Sequence, residues 1–249
     1  MMGFDSPLRA LVLGARGGIG EALVNQILAN GPLHRVIATS RDTTWCAESG
    51  LGPNHTRFPL DLTDDESIGA LRQHIVETGT NLNLIIDCTG ILHDGDLQPE
   101  RTWRHIERKS MQTVFNTHVF GLGLLIRDLL PLLPRVERTV FATLSARLGS
   151  IGDNRLGGWF SYRASKAAQN MMIKTAAIEA RNRWPQLILL SLHPGTVTTA
   201  LSEPFTRRTP SDKLFSPDQA ADYLSTVISH RVPSDSGNFY AWDGQSIPW

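Results

Sequence analysis

Leu11-Val12-Leu13-Gly14-Ala15-Arg16-Gly17-Gly18-Ile19-Gly20-Glu21-Ala22 reads as the end of a strand, a glycine-rich turn and the start of a helix. The glycines have separate jobs. Gly14 permits a tight turn out of the strand. Gly18 lets backbone approach a pyrophosphate with no Cβ in the way, and Gly20 lets the helix pack closely on the sheet. Gly17 and Ile19 complete the turn, whose free N–H groups at the positive end of a helix suit phosphate. The spacing is G-x-x-x-G-x-G, not G-x-G-x-x-G. A glycine-rich turn alone is a weak signal. Its place after a first strand and before a helix is the context that dinucleotide binding requires.

Outward from that turn, short apolar runs alternate with longer helical periods, the pattern of βαβ units. Strands are predicted at residues 8–13, 36–38, 57–60, 84–87, 139–144, 187–192 and 238–241. Most are continuous Val/Ile/Leu runs, as expected where both faces of a strand are covered. Helices are predicted from the glycine-rich turn through residues 21–29, and at residues 64–77, 102–130, 159–184 and 217–229, with Thr63 or Asp64 capping the second and Ser216-Pro217 opening the last. Pro131 and Pro185 stop the third and fourth. These elements make one α/β domain over residues 1–249. It is a Rossmann-type, doubly wound, seven-stranded and mostly parallel sheet, flanked by helices on both faces.

Bulk properties exclude several other classes. Lys+Arg and Asp+Glu balance at 24 each, so the basic excess of a nucleic-acid binder is missing. Cys46 and Cys88 stand alone, with no spacing for a zinc or redox site, and such sparing use of thiols fits the cytoplasm. Residues 1–7 show no basic cluster ahead of an apolar run, so no secretory leader is expected. The greasiest stretch, residues 119–133, is interrupted by Arg127 and Asp128 and is too short to span a bilayer. No nucleic-acid partner, membrane partner or metal is expected.

The second strand carries the cue to cofactor choice. An enzyme that uses NAD usually places an acid at its end to bind the ribose hydroxyls. Here the chain reads Ala38-Thr39-Ser40-Arg41. An acid would repel a 2′-phosphate, whereas Arg41 can fork onto one. Arg16 can approach the same phosphate from the glycine turn, and Ser40 can add a hydroxyl. The alternative is that both arginines are solvated turn residues. NADP(H) is the expected cofactor, with Asp61 and Leu62, after the third strand, facing the adenine.

Tyr162 and Lys166, in Ser161-Tyr162-Arg163-Ala164-Ser165-Lys166, are four residues apart and share a helix face. A neighbouring ammonium is expected to lower the pKa of the phenol. The phenol can then exchange a proton with a carbonyl oxygen as hydride arrives or leaves. Tyr-x-x-x-Lys is common by chance, and a solvated helix face is the plain alternative. Its position after the fifth strand, downstream of a dinucleotide turn, gives it weight.

With these segments in hand, the chain resembles the short-chain dehydrogenase/reductase family. The likeness is greatest to the single-domain branch that contains the C-factor signalling proteins and the sniffer carbonyl reductases. Besides the glycine turn and Tyr162–Lys166, it rests on Gly149-Ser150-Ile151-Gly152-Asp153-Asn154, on Leu192-His193-Pro194-Gly195-Thr196-Val197-Thr198-Thr199 and on the end, Trp242-Asp243-Gly244 to Ile247-Pro248-Trp249. The resemblance implies that Tyr162 is the acid/base and that Lys166 binds the nicotinamide ribose. It implies that Asn116 holds a relay water. The backbone from Pro194 and Gly195 through Thr196 and Val197, with the Thr199 hydroxyl, would position the nicotinamide. It also implies a small-molecule carbonyl or alcohol substrate and a homodimer or homotetramer. A C-factor-like signalling role, in which cofactor binding matters more than turnover, is the alternative.

The chain departs from the family pattern twice. Asp87-Cys88-Thr89-Gly90 stands where Asn-Asn-Ala-Gly is usual, so Gly90 still lets backbone pass the adenine ribose beside Thr89, but the bracing asparagine is gone. Counting back from Gly149, the substrate-polarising serine of the family falls on Ala146. Ser145 is the expected substitute if the strand end bulges or twists, since adjacent strand residues point to opposite faces; a buried structural serine is the alternative.

Other residues carry weaker expectations. His93, Asp94 and Asp96 are expected to be loop residues rather than metal ligands. His118 is expected in core or interface, and His193 near the cofactor. Arg207, Arg208 and Lys213, in the loop of residues 200–215, suit either an acidic substrate or solvent. Trp159, Phe160, Phe205, Trp242 and Trp249 are candidates for an apolar pocket.

Overall fold

A computed structural model describes residues 2–207 and 209–249, so Arg208 lies outside the described residues. The strands are β1 (Arg9–Leu13), β2 (Arg35–Ser40), β3 (His55–Pro59), β4 (Leu84–Asp87), β5 (Thr139–Leu144), β6 (Leu187–His193), the two-residue β7 (Thr196–Val197) and β8 (Leu214–Phe215), and β9 (Asn238–Ala241). Seven of them form one sheet in the order β3-β2-β1-β4-β5-β6-β9, with every pairing parallel. These are the seven strands expected from the apolar runs. The short pair β7–β8 has no sequence signal; two residues are too few for a period to register.

The helices are α1 (Gly18–Ala29), α2 (Thr43–Ala47), α3 (Asp65–Glu77), α4 (Arg108–Phe115), α5 (Leu122–Leu129), α6 (Phe160–Ala180) and α7 (Pro217–Ser229). One face of the sheet packs on α1 and α7, where Leu23 and Ile27 meet Val12, Val140 and Leu224. The other packs on α3, α5 and α6, where Leu71, Leu125 and Ile173 meet Leu11, Ile85 and Phe141. Both faces are covered, which explains strands without polar alternation. Phe141 is fully buried, and truncating such a side chain costs about 3–5 kcal/mol.

Two predicted helices need correction. The helix expected over residues 102–130 is three pieces. The Thr102 hydroxyl accepts from Arg104 N–H and starts a single 3-10 turn, Trp103–His105, which ends in extended backbone at Ile106 and Glu107. Only then does α4 begin, and a π-helical segment, Asn116–Gly121, separates it from α5. The helix expected to reach residue 184 stops at Ala180, followed by a turn in which Arg183 and Trp184 N–H both donate to the Ala180 carbonyl. Backbone ahead of Pro185 is driven out of the α region.

The strand order reverses between β1 and β4, and the carboxyl ends of β1, β4, β5 and β6 open on one edge. In doubly wound sheets ligands bind in the crevice at that point.

Candidate active site

Two cavities run along this edge, of about 730 and 560 Å³. They share Gly17, Cys88, Thr89, Gly90 and Ala200 in their walls and so form one trench. Each alone is the size of a small-molecule site.

The glycine turn forms the floor. Gly14 has φ +69°, and a Cβ there would lie 3.1 Å from the Cys88 carbonyl carbon. A Cβ on Gly20 would lie 2.5 Å from Gly14 O, so the helix can follow the strand only with glycine there. Gly18 is constrained by protein as well as by any ligand: a Cβ would meet Thr199 Cγ2 and Pro217 Cγ, each at 3.1 Å. Gly17, the N-cap of α1, supplies no side-chain cap, so the first N–H groups of the helix remain open to a phosphate. Gly17, Gly18, Ile19 and Gly20 all line the second cavity.

Arg16, Ser40, Arg41, Asp61 and Leu62 line the first cavity, as do Thr89 and Gly90. Arg16 and Arg41 are exposed. One feature differs from expectation: an acid does stand here. Asp42 lies in the same wall, and Arg16 Nη1 bonds its Oδ2 at 2.7 Å. Asp42 also caps α2 by accepting from Trp45 N–H, and that bond, with Arg16, holds its carboxyl below the usual range. The signal lies in Ser40-Arg41-Asp42, one residue beyond Arg41. Ser40 Oγ accepts from Asp42 N–H at 3.1 Å. Asp61 Oδ1 accepts from the N–H and hydroxyl of Thr63, which fixes the turn that presents it.

The second cavity brings together Tyr162, Lys166, Ser145, Ala146, His193, Pro194, Gly195, Thr196, Val197 and Thr199. Tyr162 and Lys166 are both buried, so the solvated-face alternative is excluded. Their electrostatics are not those expected. Lys166 Nζ lies 5.8 Å from the Tyr162 ring centre and donates instead to Leu144 O and Gln169 Oε1, each at 2.8 Å. Burial pushes the phenol of Tyr162 above its ordinary value and brings the Lys166 ammonium down to about 8, while Asp87 pulls Lys166 the other way. In this state desolvation outweighs the ammonium, and Tyr162 is a fully protonated phenol at neutral pH.

Ser145 follows the end of β5, and Ala146 keeps an extended backbone (φ −140°, ψ 146°), so the two side chains diverge. Ser145 Oγ is buried and has no hydrogen-bond partner among the described residues. An orphaned hydroxyl in the wall of a cavity is the donor a ligand oxygen would satisfy. His193 Nδ1 is orphaned too, and burial pushes that ring down to about 4, so it is neutral.

Asn116 opens the π segment and is not among the residues lining either cavity; Thr117 lines the first. His118, two positions on, makes the contacts. Its Nε2 accepts from Ile91 N–H at 3.0 Å, and its Nδ1 lies 2.9 Å from Ser165 Oγ. Ser165 Oγ donates to the Tyr162 carbonyl, so Nδ1 carries the ring proton. The ring meets Tyr162 edge-on at 5.5 Å. Burial, helped by the Lys166 charge, holds His118 well below the usual imidazole range. The expectation of core or interface agrees with its burial, but its contacts carry no sequence signal, because its partners are 27 and 47 residues away.

The outer wall is apolar. Trp159, at φ +53° and ψ +46°, packs edge-on against Phe205 at 4.9 Å, and Phe205 against His93 at 5.6 Å. His93 Nε2 lies 3.2 Å from Ala200 O, and no group of three or more His, Cys, Asp or Glu is placed to hold a metal among the described residues. Trp242 packs with Phe215 and Tyr223, and Trp249 stacks on Phe239, both away from the cavity lining. Arg207 and Lys213 are exposed and outside the lining.

The trench can thus receive a pyrophosphate at the glycine turn and bring a small apolar molecule against a buried phenol. Comparison with known proteins agrees with this arrangement. The chain is 32% identical over 244 residues to 1-hydroxy-2-glutathionyl-2-methyl-3-butene dehydrogenase of Rhodococcus sp. (strain AD45), covering 96% of this chain and 98% of that one. It is 29% identical over 144 residues to the C-signal protein of Myxococcus xanthus, covering 58% of this chain and 81% of that one. Its fold matches the crystal structure of NADPH-bound carbonyl reductase from chicken fatty liver with a TM-score of 0.82 and 28% identity, over 98% of this chain and all of that one. The sequence profile of the short chain dehydrogenases matches residues 9–209, and the chain belongs to that family.

Proposed function

We propose that this oxidoreductase is an NADP(H)-dependent carbonyl reductase that converts an aldehyde or ketone to an alcohol. The observation that carries the reading is the buried, protonated Tyr162 phenol in the wall of a cavity continuous with the glycine turn. A phenol that is protonated at neutral pH can give its proton to a carbonyl oxygen as hydride arrives. The dinucleotide, when bound, supplies the hydride.

The chain's own residues do the rest. Gly17–Gly20 backbone and the start of α1 would hold the pyrophosphate. Arg41 and Arg16 would flank the 2′-phosphate, and the NADPH-bound chicken-liver neighbour supports that choice. Thr199 and the backbone from Pro194 to Val197 would orient the ring, and Lys166 would contact the ribose. Tyr162 gives its proton to the oxygen of the substrate, and Ser145 Oγ donates a second hydrogen bond to that oxygen. Trp159 and Phe205 exclude water and suit an apolar substrate. Exposed Phe120, Met171 and Ile178, on the π segment and α6, support a homo-oligomer.

The test is NADPH consumption against aldehydes, ketones and quinones. Tyr162→Phe should lower the rate by about 100-fold or more. A panel in which no carbonyl gives turnover sensitive to that substitution overturns the reading.

A further inference from the structure

The two bonds from Lys166 to Leu144 O and Gln169 Oε1 begin a longer chain. Gln169 Nε2 donates to Thr143 Oγ1 and, at 3.2 Å, to Leu144 O. Thr143 Oγ1 donates to Asp87 Oδ2 at 2.9 Å. The other oxygen of Asp87 accepts from Thr89 N–H at 2.9 Å and from the Thr89 hydroxyl. An ammonium can only donate and a carboxylate can only accept. The ends therefore fix every proton between them, from Lys166 to Gln169 to Thr143 to Asp87. They also fix which end of the Gln169 amide faces Lys166.

All four side chains are buried. A hydrogen-bond chain with a charge at each end polarises its middle members, and low local dielectric strengthens the effect. The titratable groups around the chain are Tyr162 on α6, His118 on the π segment, Cys88 beside Asp87 and His193 at the end of β6. Burial holds Tyr162 and Cys88 up and both histidines down, so all four are neutral at pH 7. Beyond His193 the charges are Arg147, which pairs with Asp153 at 2.9 Å, and Asp243. Asp87 is thus the buried carboxylate that balances Lys166.

We propose that Gln169 and Asp87 are positioning residues that keep Lys166 charged and aimed at the cavity beside Tyr162. The proposal rests on the role given to Lys166 above. Two of its three N–H bonds are spent on the relay and on Leu144, which leaves one for the trench. Gln169 is one helical turn beyond Lys166, where an apolar side chain would leave the ammonium one acceptor short and cut its link to Asp87.

The experiment is a titration without substrate. The chain has four lysines, so protein labelled with 13C at lysine Cε gives four signals, and Lys166→Met identifies the one in question. Its shift is followed from about pH 6 to about pH 11 in the wild type, Gln169→Leu, Gln169→Glu and Asp87→Asn. Lys166 should titrate at least about one pH unit lower in Gln169→Leu and Asp87→Asn, and as much higher in Gln169→Glu. Midpoints that coincide with the wild type in these variants overturn the relay. If Gln169→Leu does not fold, Gln169→Glu and Asp87→Asn decide alone. No carbonyl is turned over, so this result stands apart from the NADPH consumption test.

Discussion

Glu100 caps the helix that carries Tyr162, through Ser161. Its Oε2 accepts the Ser161 N–H at 3.1 Å, its Oε1 accepts the Ser161 hydroxyl, and its backbone carbonyl accepts Trp159 N–H. Trp159, the N-cap of α6, is left-handed and makes no side-chain cap. The cap comes instead from a loop 61 residues earlier, and a carboxylate there also suits the helix dipole.

Glu100→Ala should lower stability by about 1–3 kcal/mol, because it leaves buried Ser161 donors unpaired. Urea denaturation measures it. Glu100→Gln, which keeps an acceptor, should lose less; equal losses in the two variants would mean that packing, not capping, is at stake.

Ser145 and Ala146 can be separated by comparing rate with stability. The Ser145 hydroxyl has no partner among the described residues, so Ser145→Ala breaks none of their hydrogen bonds and should leave the Tm nearly unchanged. Carbonyl reduction should nonetheless fall about tenfold or more, as when a donor to a developing oxyanion is removed. Full activity in Ser145→Ala would assign the hydroxyl to structure.

Arg41→Asp should make NADH bind better than NADPH, reversing the wild-type order, by repelling the 2′-phosphate. Asp42→Asn acts the opposite way, since it releases Arg16. NADPH should bind about fivefold tighter to it, while stability changes little, because solvent screens the Arg16–Asp42 pair. Cofactor fluorescence titration reads both. Unchanged NADPH affinity in both variants rules out Arg16 and Arg41 as a phosphate clamp.

His118 and His193 are held neutral, with folded-state pKa values below the unfolded value of about 6.5. The unfolded chain therefore binds more protons below that pH. Their stabilisation is complete above about pH 6.5 and is lost as pH falls toward the folded values, at up to about 1.4 kcal/mol per pH unit for each ring. Protonating His118 also ends its bond from Ile91 N–H. Urea midpoints should drop from pH 7 to pH 5, and drop less in His118→Gln. A pH-independent midpoint contradicts this.

The sheet was legible because its strands are apolar runs between turn signals, and the glycine turn because steric need there is local. Tyr162 and Lys166 were legible through helical spacing. The groups that surround them were not. Glu100, Gln169 and His118 act across 61, 26 and 47 residues on partners that only the fold brings near. Asp87 was visible as a departure, but its meaning depends on Thr143 and Gln169, side chains with no signature of their own. Asp42 was missed for a simpler reason: a cap residue can sit in a ligand wall.

The π segment Asn116–Gly121 makes the length of its helix a constraint in itself. A π turn holds about one residue more than an α turn, and each residue rotates an α-helix by about 100°. Removing one residue from this stretch would let the wide turn close to an α turn, with α4 and the Leu122, Leu125 and Leu129 face of α5 still in register. What would be lost is the extra residue of backbone that sets His118 between Ile91 and Tyr162. A single deletion here should therefore spare the packing of the helix on the sheet and disturb the site, so the constraint on length belongs to the site and not to the fold.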